Sequence, residues 1–325
     1  MKHIFIINPI SGQQNAAQFL RPRIEEAAER LGASVEIIET EYPGHGTQLS
    51  LQWAKWAEEQ QEIVRIYACG GDGTLNEVMV GVKGSSWAQV ACVPCGSGND
   101  FIRNYGTKED FLDLLSLMDG EAQVIDMIET NTGWSASICA AGLDAQVAYS
   151  IPKYRHLPFC GGSMAYYLSI AEQLCKKLGK QLSIEIDGEE IQQNCLLVAV
   201  CNGSYYGGGF YAAPNAALDD GLLDVVIVKK ISLPKIATVL GIYQKGTHIQ
   251  NGKVREDLTD IIELRRGRNV KIRSLEDKPM IVTLDGECSP QTEIRACVVP
   301  SCVSVVIPKK LIKKEGRGLC SLSCL

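Results

Sequence analysis

The sequence predicts two domains of different class: an N-terminal doubly wound parallel α/β domain, then a mainly antiparallel β domain, sandwich or barrel-like. Three observations lead there. At 325 residues the chain is longer than one core usually serves. Up to residue 124, continuous apolar strands alternate with amphipathic helices, the pattern of a parallel sheet buried on both faces. After Gln123 the strands become frequent and hairpin-like. The expected domains are 1–124, with residues 300–325 returning to it, and 125–299.

In the first domain His3–Ile7 reads as a strand. Ala16–Leu31 reads as a helix, with Leu20, Ile24, Ala27 and Leu31 at i, i+4, i+7, i+11 spacing. Ser34–Thr40 is the next strand, Thr47–Glu59 a helix, Ile63–Ala68 a strand, Leu75–Val82 a helix, Gln89–Pro94 a strand and Asp110–Met118 a helix. In the second domain strands are expected at Ile125–Glu129, Trp134–Ala140, Leu182–Asp187, Cys195–Cys201, Asp224–Val228, Asn269–Arg273 and Met280–Leu284, and the last strand candidate of the chain is Cys302–Ile307. Asp187-Gly188 between two such runs is a two-residue hairpin signal. Helices are expected at Met164–Leu178 and Leu233–Gln244.

Composition narrows the function classes. Aromatics are 6%, too few for a stacking platform for single strands, and a net charge of -6 argues against a bulk nucleic-acid binder. The 13 cysteines are odd in number and many lie inside apolar runs, without a leader segment before them, so they read as buried free thiols in a reducing, cytoplasmic compartment. No apolar run approaches the ~18–20 residues of a membrane span.

Chemistry concentrates at strand ends. Cys69-Gly70-Gly71-Asp72-Gly73-Thr74-Leu75-Asn76-Glu77 is a strand end, a turn almost wholly of glycine, and a helix start. Such a turn sets bare N–H groups and the positive end of a helix against a phosphate. Asp72 would be repelled there, so its place calls for a metal ion or a fixed water. Three more turns follow predicted parallel strands: Asn8-Pro9-Ile10-Ser11-Gly12, Thr40-Glu41-Tyr42-Pro43-Gly44-His45-Gly46 and Pro94-Cys95-Gly96-Ser97-Gly98-Asn99-Asp100-Phe101. Ligands of doubly wound sheets bind at that edge. Neither the Walker lysine loop nor the dinucleotide fingerprint is present. The second domain adds Asp219-Asp220-Gly221-Leu222-Leu223-Asp224, whose carboxylates suit magnesium or simply a solvated turn, and Leu284-Asp285-Gly286-Glu287, which offers two candidate bases or a plain hairpin turn. Arg265, Arg266, Arg268, Lys271 and Arg273 form a basic run, either a headgroup contact or a solvated strand face. Leu157–Gly162 reads as a membrane-touching loop or as packing, and the basic tail Lys309–Leu325 as mobile.

Taken in order, N-P-x-S-G, T-x-x-x-G-H, G-G-D-G-T-x-N-E-V, P-x-G-S-G-N-D-F, A-P-x-A-x-x-D-D-G-x-L-D and L-D-G-E resemble the diacylglycerol kinase catalytic family, which includes soluble bacterial lipid kinases and is related to sphingosine and ceramide kinases. The resemblance implies an NAD kinase-like nucleotide domain and a β-sandwich domain, with the active site in the cleft between them. It implies that Asn8, Ser11, Thr40, Gly70, Gly71, Asp72, Gly73, Thr74, Asn76 and Ser97 contact ATP, with Glu77 supporting that loop. It implies Asp285 as general base with Glu287 beside it, Asp285 being favoured. Asp220 with the carbonyls of Ala217 and Leu222 would hold a structural Mg²⁺, linked through waters to Asp72. Bacterial relatives can carry a further acidic side chain where this chain has Ala217. The implied activity is ATP-dependent phosphorylation of a lipid hydroxyl, diacylglycerol first, at a membrane visited peripherally and transiently. A homodimer is left open. Competing readings are an NAD kinase, which shares the glycine turn, and a catalytically silent nucleotide or lipid sensor.

Overall fold

The structure is a computed structural model and describes residues 1–12, 15–96, 98–155, 163–176 and 178–312. Ser97, the loop 157–162 and the tail beyond Ile312 lie outside those residues. The chain divides into two units, Met1–Ile125 with the segment from Ser301 on, and Asp126–Pro300.

In the first unit a parallel sheet runs in the order Val35–Glu39, Lys2–Ile7, Val64–Gly70, Ala88–Pro94, followed by the C-terminal end of the strand Glu293–Ile307. Phe5, Ile6, Ile7, Ile66, Tyr67, Val90 and Val93 have no exposed surface, which is why these strands read as unbroken apolar runs. The helix Ala16–Leu31 buries Leu20, Ile24 and Ala27, but Leu31 is 42% exposed, since the helix ends there at a left-handed Gly32. Asn15 caps its start by accepting from the N–H groups of Ala17 and Gln18 at 3.0 and 3.3 Å.

Two boundaries differ from the sequence reading. The helix expected from Leu75 begins at Asp72, so Asp72, Gly73 and Thr74 form its first turn and Gly71 its N-cap. The helix expected over Asp110–Met118 is two short ones, Lys108–Phe111 and Leu114–Met118. The break falls where the Asp113 side chain turns back to accept from Ser116 N–H and so starts a new helix.

In the second unit the strand Glu189–Cys201 is central, pairing with Lys180–Ile186, Ile138–Gly142 and Leu223–Lys229. Cys195, Val198 and Val200 enter one apolar cluster with Ile184, Ile272 and Val282. Leu197, Ala199 and Cys201 enter another with Ile236, Val239 and Tyr243 of the helix Leu233–Gln244. Alternation along one strand thus feeds two cores. Asp187-Gly188 turns the hairpin with φ of 47° and 91°. The strand expected at Trp134–Ala140 is interrupted between Ser135 and Ile138, and a helix at Leu143–Arg155 was not anticipated. The helix expected over Met164–Leu178 spans Ser163–Leu174. Among the described residues no helix is long and apolar enough to cross a membrane.

Candidate active site

Three of the four predicted turns of the first unit pack on one another without room for side chains. A Cβ on Gly12 would lie 2.5 Å from the Cys95 carbonyl oxygen, and one on Gly96 would lie 2.5 Å from Gly71 Cα. Cys95 and Gly96 both donate N–H to the Gly70 carbonyl, at 2.8 and 3.1 Å. Asn8 accepts from Ile10 N–H at 3.2 Å through Oδ1 and donates from Nδ2 to Thr74 Oγ1 at 3.2 Å, joining the first turn to the third. Ser11 sits in that first turn, its N–H bonded to the Asn8 carbonyl at 3.1 Å. Asn76 lies one turn further along the helix that Asp72 opens. These contacts bring Asn8, Ser11, Gly70, Gly71, Gly73 and Thr74 together at the carboxyl edge of the sheet, where a phosphate would meet backbone N–H groups and a helix start.

Thr40 follows the neighbouring strand, its N–H bonded to Ile7 O at 2.8 Å. Glu77, expected to support the glycine loop, reaches the neighbouring turn instead: its Oε1 and Oε2 accept from Gly44 and Gly46 N–H at 2.8 and 3.0 Å, at the start of the helix His45–Gln60. His45 serves its own turn, accepting at Nδ1 from Glu41 N–H and stacking on Tyr42 at 4.6 Å. Asp72 is turned toward the fourth loop, its carboxylate 3.4 Å from Phe101 N–H.

Asn99 was quoted in the sequence motif without a role. It is 4% exposed with φ of 53°, donates from Nδ2 to Gly96 O at 2.6 Å, and leaves Oδ1 buried without a partner. Lys108 Nζ reaches the same Gly96 carbonyl at 3.4 Å and brings a cation to this loop. Burial pushes the Cys95 thiol up, an effect opposed by Lys108 and Arg23.

In the second unit Leu284-Asp285-Gly286-Glu287 is geometrically a two-residue hairpin turn: Leu284 pairs with Glu287, and Asp285 and Gly286 have φ of 46° and 100°. Asp285 nevertheless differs from a solvated turn residue. Its carboxylate accepts from the N–H groups of Ala136 (2.7 Å), Ser137 (3.1 Å) and Ile138 (2.9 Å). Those N–H groups are the reason the expected strand breaks at 136–137. Burial raises the carboxyl above its ordinary range, and the hydrogen bonds from this loop oppose the rise. Glu287 is exposed.

A hydrogen-bonded chain runs on from this loop. The Asn202 amide donates to Ala136 O at 2.8 Å and to Asp126 O at 2.9 Å, with no exposed surface. Asp126, 2% exposed, accepts from Gly221 N–H at 2.7 Å in the acidic turn. Neither residue stood out in sequence. Both are polar groups inside otherwise apolar strand or strand-end segments, and that is the signal that could have marked them.

In the acidic turn an arginine stands against the expected magnesium ligand. Of the predicted ligands only Asp220 has a carboxylate. Arg266 holds its Oδ2, and Leu222 N–H is bonded to its Oδ1 at 3.1 Å. Arg266 Nε also lies 3.2 Å from Asp224 Oδ1. Of the expected ligand set Asp220, Ala217 and Leu222, the one carboxylate thus carries a guanidinium in this structure. The basic run is likewise largely consumed, with Arg265 on Glu263 and Glu189 and Lys271 on Glu185.

Comparison with known proteins agrees with the two-part reading. Residues 2–130 match the diacylglycerol kinase catalytic domain, and residues 137–307 match the YegS C-terminal NAD kinase beta sandwich-like domain. A diacylglycerol kinase of Bacillus subtilis is 29% identical over 308 residues, covering 94% of this chain and 96% of that protein. One from Staphylococcus carnosus is 27% identical over 312 residues, covering 95% and 96%. Among solved structures, a putative diacylglycerol kinase from Bacillus anthracis superposes with a TM-score of 0.71 at 21% identity, covering 95% of this chain and 98% of that one. An NAD kinase from Archaeoglobus fulgidus in complex with ATP has a TM-score of 0.50 at 13% identity, over 99% of this chain and 100% of that one, a likeness of fold alone.

Proposed function

This chain belongs to the diacylglycerol kinase catalytic-domain family with a YegS-type C-terminal domain, is a lipid kinase of that family, and we propose that it transfers the γ-phosphate of ATP to the free hydroxyl of diacylglycerol, giving phosphatidic acid and ADP. The observation that carries the nucleotide half is the close approach of Gly96 to Gly71 and of Gly12 to Cys95, which clears side chains from one edge of the sheet. Asn8, Ser11, Thr40, Gly70 to Thr74, Asn76 and Ser97 would bind ATP there. Asn99 Oδ1 and the Lys108 ammonium would extend that set. Magnesium would enter with the nucleotide and neutralise phosphate charge, since phosphoryl transfer depends on positioning and charge more than on covalent help.

In the second unit Asp285 would take the proton of the attacking hydroxyl. Support comes from its partial burial, which raises its proton affinity, and from three N–H groups that fix its orientation. Glu287, exposed beside it, would stay at the rim. The acceptor would be presented by a membrane surface in transient, peripheral contact.

The test is labelled ATP with mixed vesicles carrying diacylglycerol, monoacylglycerol, phosphatidylglycerol and a sphingoid base, and with NAD in parallel. Products are identified by mass spectrometry. The expected label is in phosphatidic acid. Label in another lipid would overturn the acceptor, and label in NADP the lipid reading itself.

A further inference from the structure

We propose that Arg266 is the resident cation of the acidic turn, standing where the family resemblance would put a divalent metal, so that the second unit holds this turn without one. The inference concerns the turn alone and holds for any acceptor lipid.

Backbone register fixes the pairing. Leu223–Lys229 and Ile262–Gly267 run antiparallel, with Asp224 directly opposite Arg266 and Leu223 opposite Gly267. Cross-strand neighbours of opposite charge on one face are in reach without any long-range adjustment. Asp224 is 3% exposed, and Arg266 is the cation bonded to it, Nε to Oδ1 at 3.2 Å. Just before the strand the chain turns at Asp220-Gly221. That turn brings Asp220 back onto the same guanidinium. A planar guanidinium with several donors suits this double duty better than an ammonium would.

Three further observations point the same way. The neighbouring cations are spent elsewhere, Arg265 on Glu263 and Glu189 and Lys271 on Glu185. The turn itself is held by protein groups: Gly221 N–H on Asp126, Asp126 N–H on Leu218 O at 2.6 Å, and Leu222 N–H on Asp220. Among the described residues no group of three or more His, Cys, Asp or Glu side chains is arranged for a metal. Position 217, an alanine, offers only its carbonyl. Magnesium requires near-octahedral oxygen ligands and gives up its waters reluctantly. To bind Asp220 it would have to expel a guanidinium that Asp224 also holds.

The deciding experiment needs no turnover. The nucleotide-free chain is melted in EDTA and in excess Mg²⁺, and Mn²⁺ is titrated into it with the free ion followed by electron paramagnetic resonance. Expected are coincident melting curves and no stoichiometric Mn²⁺ site. A site filled a hundredfold over its dissociation constant would raise Tm by roughly 5–10 °C. Such a rise, or one Mn²⁺ per chain that disappears in Asp220→Asn, would overturn the proposal. Arg266→Met is expected to melt below wild type in EDTA, and a variant that melts with wild type would also overturn it. If Arg266→Met does not fold, the wild-type Mn²⁺ titration decides alone. Failure of lipid phosphorylation leaves all these readouts unaffected.

Discussion

Removal of the Glu77 carboxylate should loosen the start of the helix His45–Gln60 and with it the second strand-end turn. That helix begins at Gly44 in a left-handed conformation, φ 86°, with no side-chain cap and no acidic residue in its first turn. Its orphan N–H groups are instead served from another helix, Gly44 and Gly46 by the two Glu77 oxygens at 2.8 and 3.0 Å. A hydrogen bond to a charged group is worth about 1.5–3 kcal/mol, and a carboxylate at a helix N-terminus adds about 0.3–1 kcal/mol. Water can enter the space an alanine leaves, so the sum is not reached, and Glu77→Ala should cost about 2–3 kcal/mol. Glu77→Gln keeps one acceptor but turns an amide N–H₂ toward the other donor, and should cost about 1–2 kcal/mol. Thr47 Oγ1 bonds to the Glu77 main-chain carbonyl at 2.9 Å, and that link survives both changes. The assay is native-state hydrogen exchange at the Gly44 and Gly46 amides, backed by denaturant melting. A loss of about 2 kcal/mol through local opening speeds exchange roughly thirtyfold. Wild-type protection of both amides in Glu77→Ala would refute the reasoning, because it would mean the carboxylate is not what holds them.

Gly96→Ala would place a methyl 2.5 Å from Gly71 Cα, so it should displace the loop at a cost of about 1–3 kcal/mol and weaken ATP binding at least tenfold by calorimetry. Unchanged affinity would remove this contact from the nucleotide site. Asn202→Ala deletes two buried donors and should destabilise the second unit by about 2 kcal/mol in denaturant melts, whereas a loss under about 0.5 kcal/mol would show that water replaces the amide. Asp144, which accepts from Tyr206 Oη at 2.9 Å, has its carboxyl pushed up to about 6 by burial. Its folded pKa lies above its unfolded value, so it makes stability fall as pH rises from about 4 to about 6, by up to ~3 kcal/mol. Asp144→Asn should flatten that part of the stability–pH curve, and an unaltered slope would sink the assignment. His3 has its pKa lowered to about 4 by burial and by Arg65, so it contributes the opposite slope between about 4 and 6.5, which His3→Gln should remove.

Much of the fold was legible because the first unit obeys simple periodicity. Ala16–Leu31 has the bounds its apolar spacing predicts, and in the second unit the helix Leu233–Gln244 falls where it was expected. Reading failed where a distant partner decided the local structure. The run Trp134–Ala140 has strand chemistry throughout, yet Asp285, nearly 150 residues away, takes the N–H groups of Ala136, Ser137 and Ile138 and interrupts it. The site divides in the same way. The glycine turns were visible because glycine spacing is local. Arg266 was not, because its partners follow from the register between two strands some forty residues apart, which no motif encodes. Asn202 was hidden for the same reason.

A common construction runs through several acidic residues of both units. Glu77 is tied to two N–H groups, Asp285 to three, Asp126 to Gly221, and Asp187 to Arg268 and Asn269. Each carboxylate organises a backbone segment far from it in sequence, and some of those segments form the candidate site. Loss of activity on substituting any of them would therefore not assign chemistry. Asp285→Asn makes the point most sharply. An amide cannot accept at both ends, so one of the N–H groups of 136–138 would face N–H₂, and the loop would shift whether or not the carboxylate is a base. A base role needs two results together: amide protection at Ser137 and Ile138 retained in the variant, and a lost limb in the pH–rate profile. A variant that loses protection and turnover together would show only that Asp285 builds the loop.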